Sequence, residues 1–310
     1  MAARRGFITI ATGKELYFKD ALNLLRSYRY YTKKPLPFAI IADEENSYTR
    51  EFDVVIISKN AGHNFLDKFL LSEKIPFDET IFIEPDVLVY SDINNFFDFF
   101  ADSTDFSWFG RYSDPDRKGF GYFERDLLPS DVGDRVKCTI GGHGGLLYLR
   151  KTEKAMQVLN TAKELAPRYD EFHFKYFYVP GGERVSDEPL TALSMAINDC
   201  LPTETDGFAF SVYTRDLDKL NLNMRKGYAK FRGKKKKVQA IHWASRYTEL
   251  PLYKREEYFL NCKIGMMRYS VFEHLRYNID ILKYKWFVFS SNLMDRAMQI
   301  KYKRKNKQKK

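Results

Sequence analysis

What most limits the fold of this chain is an alternation in its first hundred residues. Short, continuously apolar segments, GFITIAT (6–12), FAIIAD (38–43), DVVIIS (53–58) and TIFIE (80–84), are separated by stretches of mixed character. In the first of these stretches Tyr17, Ala21, Leu24, Leu25 and Tyr28 recur at helical spacing, and HNFLDKFLLSEKI (63–75) predicts a second helix. Strands that are apolar on both faces must be covered on both. Their alternation with amphipathic helices therefore predicts an α/β fold with a mostly parallel sheet. In such sheets a ligand occupies the crevice beyond the carboxyl ends of the strands.

One segment places charge in that crevice. In DETIFIEPDVLVYSDI (78–93) the fourth apolar strand stops at Glu84-Pro85-Asp86, and a second apolar run, Val87 to Tyr90, follows at once. Residues two apart in extended backbone point to the same side, so the two carboxylates converge. Pro85 lacks a ladder donor and ends regular pairing there. Two convergent carboxylates at a strand end suit a hard divalent cation carrying phosphate. Asp92 is expected to cap a short helix over INNFFDFF.

The rest of the chain supplies DFSWFGR (105–111), a polar loop, TIGGHGGLLYLR (139–150), helices over 153–165 and 190–198, late strands GFAFSVY (207–213) and VQAIHWA (238–244), and an aromatic, basic region past 250 that is expected to be helical. No apolar run is long enough to span a bilayer, and MAARRGFITIATG enters a strand without a signal-peptide core, so a cytoplasmic location is expected. Three scattered cysteines without a CxxC pair argue against a disulfide framework or a structural zinc site. The net charge of +10 is uneven. Eight of the thirteen residues in 225–237 and seven of the ten in 301–310 are basic, which leaves about −5 for the remainder. A nucleic-acid-binding domain, basic throughout, is thereby disfavoured.

Taken together, these segments resemble nucleotide-sugar glycosyltransferases of the GT-A fold, nearest in layout to glycosyltransferase family 8, which includes glycogenin and lipopolysaccharide galactosyl- and glucosyltransferases. FIEPDVLVYSDI is similar to the family's Asp-x-Asp strand end, with Glu84 at the first acid and Asp86 at the second. AIHWASRYTELP is similar to its late histidine segment, with His242 completing the metal site and Arg246 near the diphosphate. VSDEPLTALSM resembles the family's Asp-Gln segment at the sugar-transfer centre, with Asp187 matching and Glu188 standing where an amide is usual. The same residues also satisfy a helix start, with Ser186 as cap. GGHGGLLYLR resembles the segment lining the sugar pocket, with His143 at an Asn position and Gly144 beneath it. At the N-terminus Thr12, Gly13 and Tyr17 take the places of nucleoside contacts, and Lys68 that of a basic donor-binding residue.

The resemblance implies a catalytic domain over residues 1–250 followed by a helical, basic extension over 251–310. It implies a metal-dependent, hexosyltransferase-type transfer from a nucleotide-sugar, UDP by family majority, to a glycan or lipid-linked acceptor with retention of configuration. Mn²⁺ or Mg²⁺ would be held by Glu84, Asp86 and His242, while Arg246 or a lysine from 225–237 adds positive charge at the donor. The extension, with Trp286, Phe287 and Phe289, would lie on an anionic membrane surface as a peripheral anchor. Two alternatives stay open. One is a catalytically inactive nucleotide-sugar or glycan binding module, which the Glu84 departure keeps in play. The other is a sugar nucleotidyltransferase, although TIATGKELYF lacks the Gly-rich phosphate loop usual in those enzymes.

Overall fold

The computed structural model describes residues 5–103, 105–175, 185–205, 207, 209–212, 220–231 and 236–307, and of 212, 245, 246 and 291–307 the backbone alone. In chain order the elements are β1 (Arg5–Ala11), α1 (Glu15–Tyr31), β2 (Phe38–Ala42), β3 (Val54–Ile57), a 3-10 segment Phe65–Leu70 running into the single turn α2 (Leu71–Lys74), β4 (Glu79–Ile83), β5 (Val87–Val89), α3 (Phe96–Phe99), β6 (Phe106–Ser113), α4 (Ser130–Gly133), β7 (Thr139–Arg150), α5 (Glu153–Leu165), α6 (Asp187–Ile197), β8 (Phe210–Val212), β9 (Leu220–Asn223), β10 (Tyr228–Phe231), β11 (Ala240–His242), α7 (Pro251–Lys263) and α8 (Val271–Lys307).

The architecture is α/β, with a mostly parallel central sheet flanked by helices. Six strands run in the order β3-β2-β1-β4-β7-β6. The first four are mutually parallel, while β7 runs antiparallel to both β4 and β6. Alternate residues of the inner strands feed two separate cores. Ile8, Ile10, Ala39 and Ile41 pack with α5 and α6 on one face, and Phe7, Phe38, Ile40 and Ala42 pack with α1 and α3 on the other. That two-sided burial is why these strands read as unbroken apolar runs.

A second, three-stranded sheet, β5-β11-β8, stands at the end of the first. Glu84-Pro85-Asp86 is the crossing between the two sheets, because β4 belongs to one and β5 to the other. Behind the small sheet, Leu88, Tyr90, Ile241 and Trp243 form a third core with Tyr253, Phe259 and Leu260 of α7. Glu256 on α7 is fully buried, where it pairs with Arg255 and accepts the Met224 amide.

Local expectations are corrected in three places. Asp92 does not cap the short helix: its carboxylate accepts the Asn94 amide, and α3 begins later, after Asn95. Ser186 occupies the N-cap position of α6 but makes no side-chain capping bond. The segment 63–75 is mainly a tight 3-10 turn with Asn64 as cap, not a regular α-helix. Asp67, Lys68 and Phe69 are consecutive and all buried there, an arrangement that an amphipathic helix with one wet face does not give. The cysteines are free, with Cys138 and Cys200 buried. No helix among the described residues is long and apolar enough to cross a membrane.

Candidate metal and donor site

The crossing between the sheets brings three ligating side chains together. Glu84 leaves the end of β4, Asp86 precedes β5, and His242 closes β11. Backbone bonds fix all three: Glu84 N–H donates to the Gly145 carbonyl at 3.0 Å, Trp243 N–H donates to the Asp86 carbonyl at 2.9 Å, and His242 pairs in register with Val87. The His242 Nε2 then lies 2.9 Å from Glu84 Oε2 and 3.0 Å from Asp86 Oδ1. One ligand atom from each of the three residues falls within 4.8 Å of the others. His242 and Asp86 are buried, and Glu84 keeps 21% of its side chain exposed.

Behind this triad Lys68 is buried in a nest of acceptors. Its Nζ donates to Glu84 Oε1 at 2.8 Å, to the Gly144 carbonyl at 3.0 Å and to Asp187 Oδ2. An ammonium has three protons, and all three are used. Lys68 therefore acts as a fixed, buried cation that aims Glu84 and Asp187. Glu188, next along α6, accepts the Gly144 amide at 2.8 Å, lies 3.5 Å from His143 Nε2 and is approached by the Tyr122 hydroxyl at 3.4 Å. The His143 Nδ1 accepts the Gly145 amide at 2.9 Å, which leaves Nε2 as the proton-bearing nitrogen facing Glu188.

The glycines of β7 make this packing possible. A Cβ at Gly144 would stand 2.8 Å from Glu188 and 3.2 Å from Lys68 Nζ, and one at Gly145 would stand 2.9 Å from His143 and 3.0 Å from His242. GGHGG is thus a strand stripped of side chains where charged groups from three other elements converge.

The electrostatics follow from burial and pairing. Burial alone would depress the Lys68 ammonium, but the Asp187 and Glu84 charges hold it above its ordinary value. Burial opposes ionisation of Glu84, yet Lys68 and His242 bring its carboxyl well below the usual range. Burial pushes Asp187 up to about 6 against the pull of Lys68, with Glu84 and Glu188 adding to the rise. Burial would likewise lower His242, but Asp86 and Glu84 raise it to about 10. His143 is lowered by burial and stays neutral.

These residues fit a divalent cation. Among the described residues four carboxylates, Glu84, Asp86, Asp187 and Glu188, face two cations, the Lys68 ammonium and the His242 imidazolium, whose Nε2 proton a bound metal would displace. One imidazole nitrogen and two carboxylate oxygens form a donor set suited to Mn²⁺ or Mg²⁺. Neighbouring ligands of an octahedral ion with bonds of about 2.1 Å stand roughly 3.0 Å apart, close to the separations seen here.

The part of the crevice at the end of β1 is built differently. Thr12 is buried, with its hydroxyl donating to Asp67 Oδ2 at 2.7 Å. Gly13 has φ +79°, and its amide donates to Asp43 Oδ2 at 3.0 Å, an oxygen that also lies 3.0 Å from His63 Nε2. Tyr17 is half-buried on α1 beneath Lys14. Asp43, His63, Asp67 and Tyr122 were not singled out from sequence. Asp43, His63 and Tyr122 have side-chain partners 20 or more residues away, and Asp67 joins its neighbours Gly62 and His63 to the distant Thr12. Arg246 lies in the 3-10 segment Ser245–Glu249 next to His242, and its side chain is outside the described residues, as are Arg232, Lys234 and Lys235 of the basic loop.

The sequence matches no family model and no curated protein. Solved structures with a similar chain path include the glycosyltransferase GlyE of Streptococcus pneumoniae TIGR4 (12% identity, covering 66% of this chain and 46% of that one, TM-score 0.40). They also include the galactosyltransferase LgtC in complex with donor and acceptor sugar analogs (9%, 88% and 99%, 0.48) and the apo form of the bifunctional glycosyltransferase WbbM (10%, 91% and 52%, 0.49). The chain spans about half the length of GlyE and of WbbM. With identities near 10% and TM-scores below 0.5, the function has to be argued from the site.

Proposed function

We propose that the chain is a divalent-metal-dependent glycosyltransferase, with the GT-A layout that its motifs resemble, using a nucleotide-sugar donor, UDP-linked, and a glycan or lipid-linked acceptor. The observation that carries this reading is the convergence of Glu84, Asp86 and His242 at the carboxyl end of the parallel strands, beside the Lys68–Asp187–Glu188 cluster.

Glu84 through Oε2, Asp86 and His242 through Nε2 would hold Mn²⁺ or Mg²⁺. When bound, the ion supplies Lewis-acid neutralisation of charge on a departing diphosphate. The chain's own residues do the positioning. Lys68 keeps one oxygen of Glu84 occupied, so that only the other is presented to the cation. His143, neutral and with its proton on Nε2, donates toward Glu188 and sets the direction of that carboxylate. Glu188 and Asp187 sit on the first turn of α6, where they would receive hydroxyl protons from the sugar or the acceptor. Thr12, Gly13 and Tyr17 border the place a nucleoside would take, although the Thr12 hydroxyl and the Gly13 amide already hold Asp67 and Asp43.

Incubation with a panel of nucleotide-sugars, scoring nucleoside diphosphate release with Mn²⁺ and with chelator, tests the reading. Release that needs both the metal and one donor supports it. Equal release with chelator removes the metal from the account, and no release from any donor removes the transferase. The anomeric configuration of the product by NMR tests retention, and an inverted product overturns that part alone.

A further inference from the structure

α8 carries two faces of different fate. His274, Tyr277, Asn278, Ile281 and Tyr284 meet α7 and the third core. On the opposite side Phe272, Leu275, Ile279, Leu282, Trp286 and Phe289 are 86, 53, 51, 65, 70 and 55% exposed. Their spacing is 3, 4, 3, 4, 3, and the sequence continues it at Leu293. That is the a/d pattern of a coiled-coil seam sustained over about three heptads.

We infer that this stripe is a homotypic docking surface, and that a second copy of the chain packs against it helix to helix. The area is of the right size: at these exposures six large apolar side chains would bury roughly 700 Å² per copy, against about 800 Å² per partner in a stable interface. The charge beside the stripe favours protein over an anionic lipid surface. Arg276 is paired with Glu273 at 2.7 Å and Lys283 with Asp280 at 3.7 Å, so residues 271–290 sum to only +1. A helix lying on lipid carries its cations on the polar face beside the apolar stripe, whereas the excess on α8 lies past the stripe, in residues 301–307. The seam gives Trp286 and Phe289 a protein partner, in place of the membrane surface expected for Trp286, Phe287 and Phe289. This inference rests on nothing in the catalytic proposal.

Sedimentation equilibrium of the full chain tests it, using wild type, Leu282→Glu and Lys285→Glu. Leu282 is 65% exposed, so the glutamate leaves the monomer fold intact, which circular dichroism and the melting midpoint verify. The expected result is a wild-type dimer, self-association at least ~100-fold weaker in Leu282→Glu, and a dimer retained in Lys285→Glu. A wild-type monomer at roughly 100 μM overturns the inference, as does a dimer that Leu282→Glu leaves unchanged. A monomer that sediments with phosphatidylserine vesicles, and loses them in both variants, assigns the stripe to lipid and overturns it equally.

Discussion

Two groups of buried carboxylates lie at the same end of the central sheet, and they are satisfied in opposite ways. Beside the end of β1, Asp67 takes the Thr12 hydroxyl at 2.7 Å, the Gly62 amide at 2.7 Å and the His63 amide at 3.0 Å. Its partners here are neutral donors. At the crossing between sheets, Glu84, Asp86, Asp187 and Glu188 share one ammonium, one neutral histidine and one histidine shared between two of them. The first arrangement is met by neutral donors, whereas the second gathers four carboxylates around Lys68 and His242 among the described residues. Burial of a carboxylate therefore says little by itself. What separates scaffold from site is whether the fold supplies enough donors and cations for the anions it buries.

The sharpest way to break this comparison is to remove Lys68. If it is the cation that makes the cluster tolerable, Lys68→Ala takes from Asp187 the ammonium it faces and leaves Glu84 to His242 alone, and the fold should lose on the order of 3–5 kcal/mol in chemical denaturation. A loss below about 1 kcal/mol would mean that water reaches the nest and Lys68 is dispensable.

Asp67→Ala should cost less, about 1–3 kcal/mol, because it orphans one hydroxyl and two amides but no charge. Mn²⁺ should stabilise this variant as much as it does the wild type, because the Glu84–Asp86–His242 site is untouched. Asp86→Asn should show the reverse: little change in stability with chelator present, and loss of the stabilisation that Mn²⁺ gives the wild type. Metal-dependent stabilisation that survives Asp86→Asn would erase the distinction between the two groups.

A smaller effect probes a third carboxylate. Asp20 on α1 is buried under Tyr253, whose hydroxyl donates to it at 3.0 Å. Burial raises its pKa to about 7, the Tyr253 bond opposing the rise and the Asp86 and Glu257 charges adding to it. An acid with a raised folded pKa binds its proton more tightly folded than unfolded. Its contribution to stability is therefore present below about pH 4 and is lost as pH rises toward 7. Asp20→Asn should flatten that decline, leaving the variant more stable than wild type at pH 8 by on the order of 2 kcal/mol. Parallel pH profiles for the two proteins would show that Asp20 is already neutralised by its surroundings.

Some of this was legible along the chain. Apolar runs such as FAIIAD and TIFIE can be satisfied only by two-sided burial, so the parallel strands β1 to β4 followed directly. Glu84, Asp86 and His242 were visible because each abuts such a run, and a strand end is a position that sequence can mark. Lys68 was harder: in FLDKFLL it looks like the wet face of a helix, and its partners Glu84 and Asp187 are 16 and 119 residues away. Asp67 holds the nearby Gly62 and His63 amides, but its bond to Thr12, 55 residues away, is not marked in the local sequence. The stripe on α8 was in the letters, but aromatic and basic residues together suggested lipid. The folded helix adds that Arg276 and Lys283, beside the stripe, have i,i+3 acidic partners.

The measurement closest to the central claim is a calorimetric titration of UDP into wild type and Asp86→Ala, each with and without Mn²⁺. The account predicts binding by wild type only when Mn²⁺ is present, and affinity at least ~100-fold weaker in the variant. Binding of UDP that is indifferent to Mn²⁺, or untouched by loss of Asp86, would contradict it.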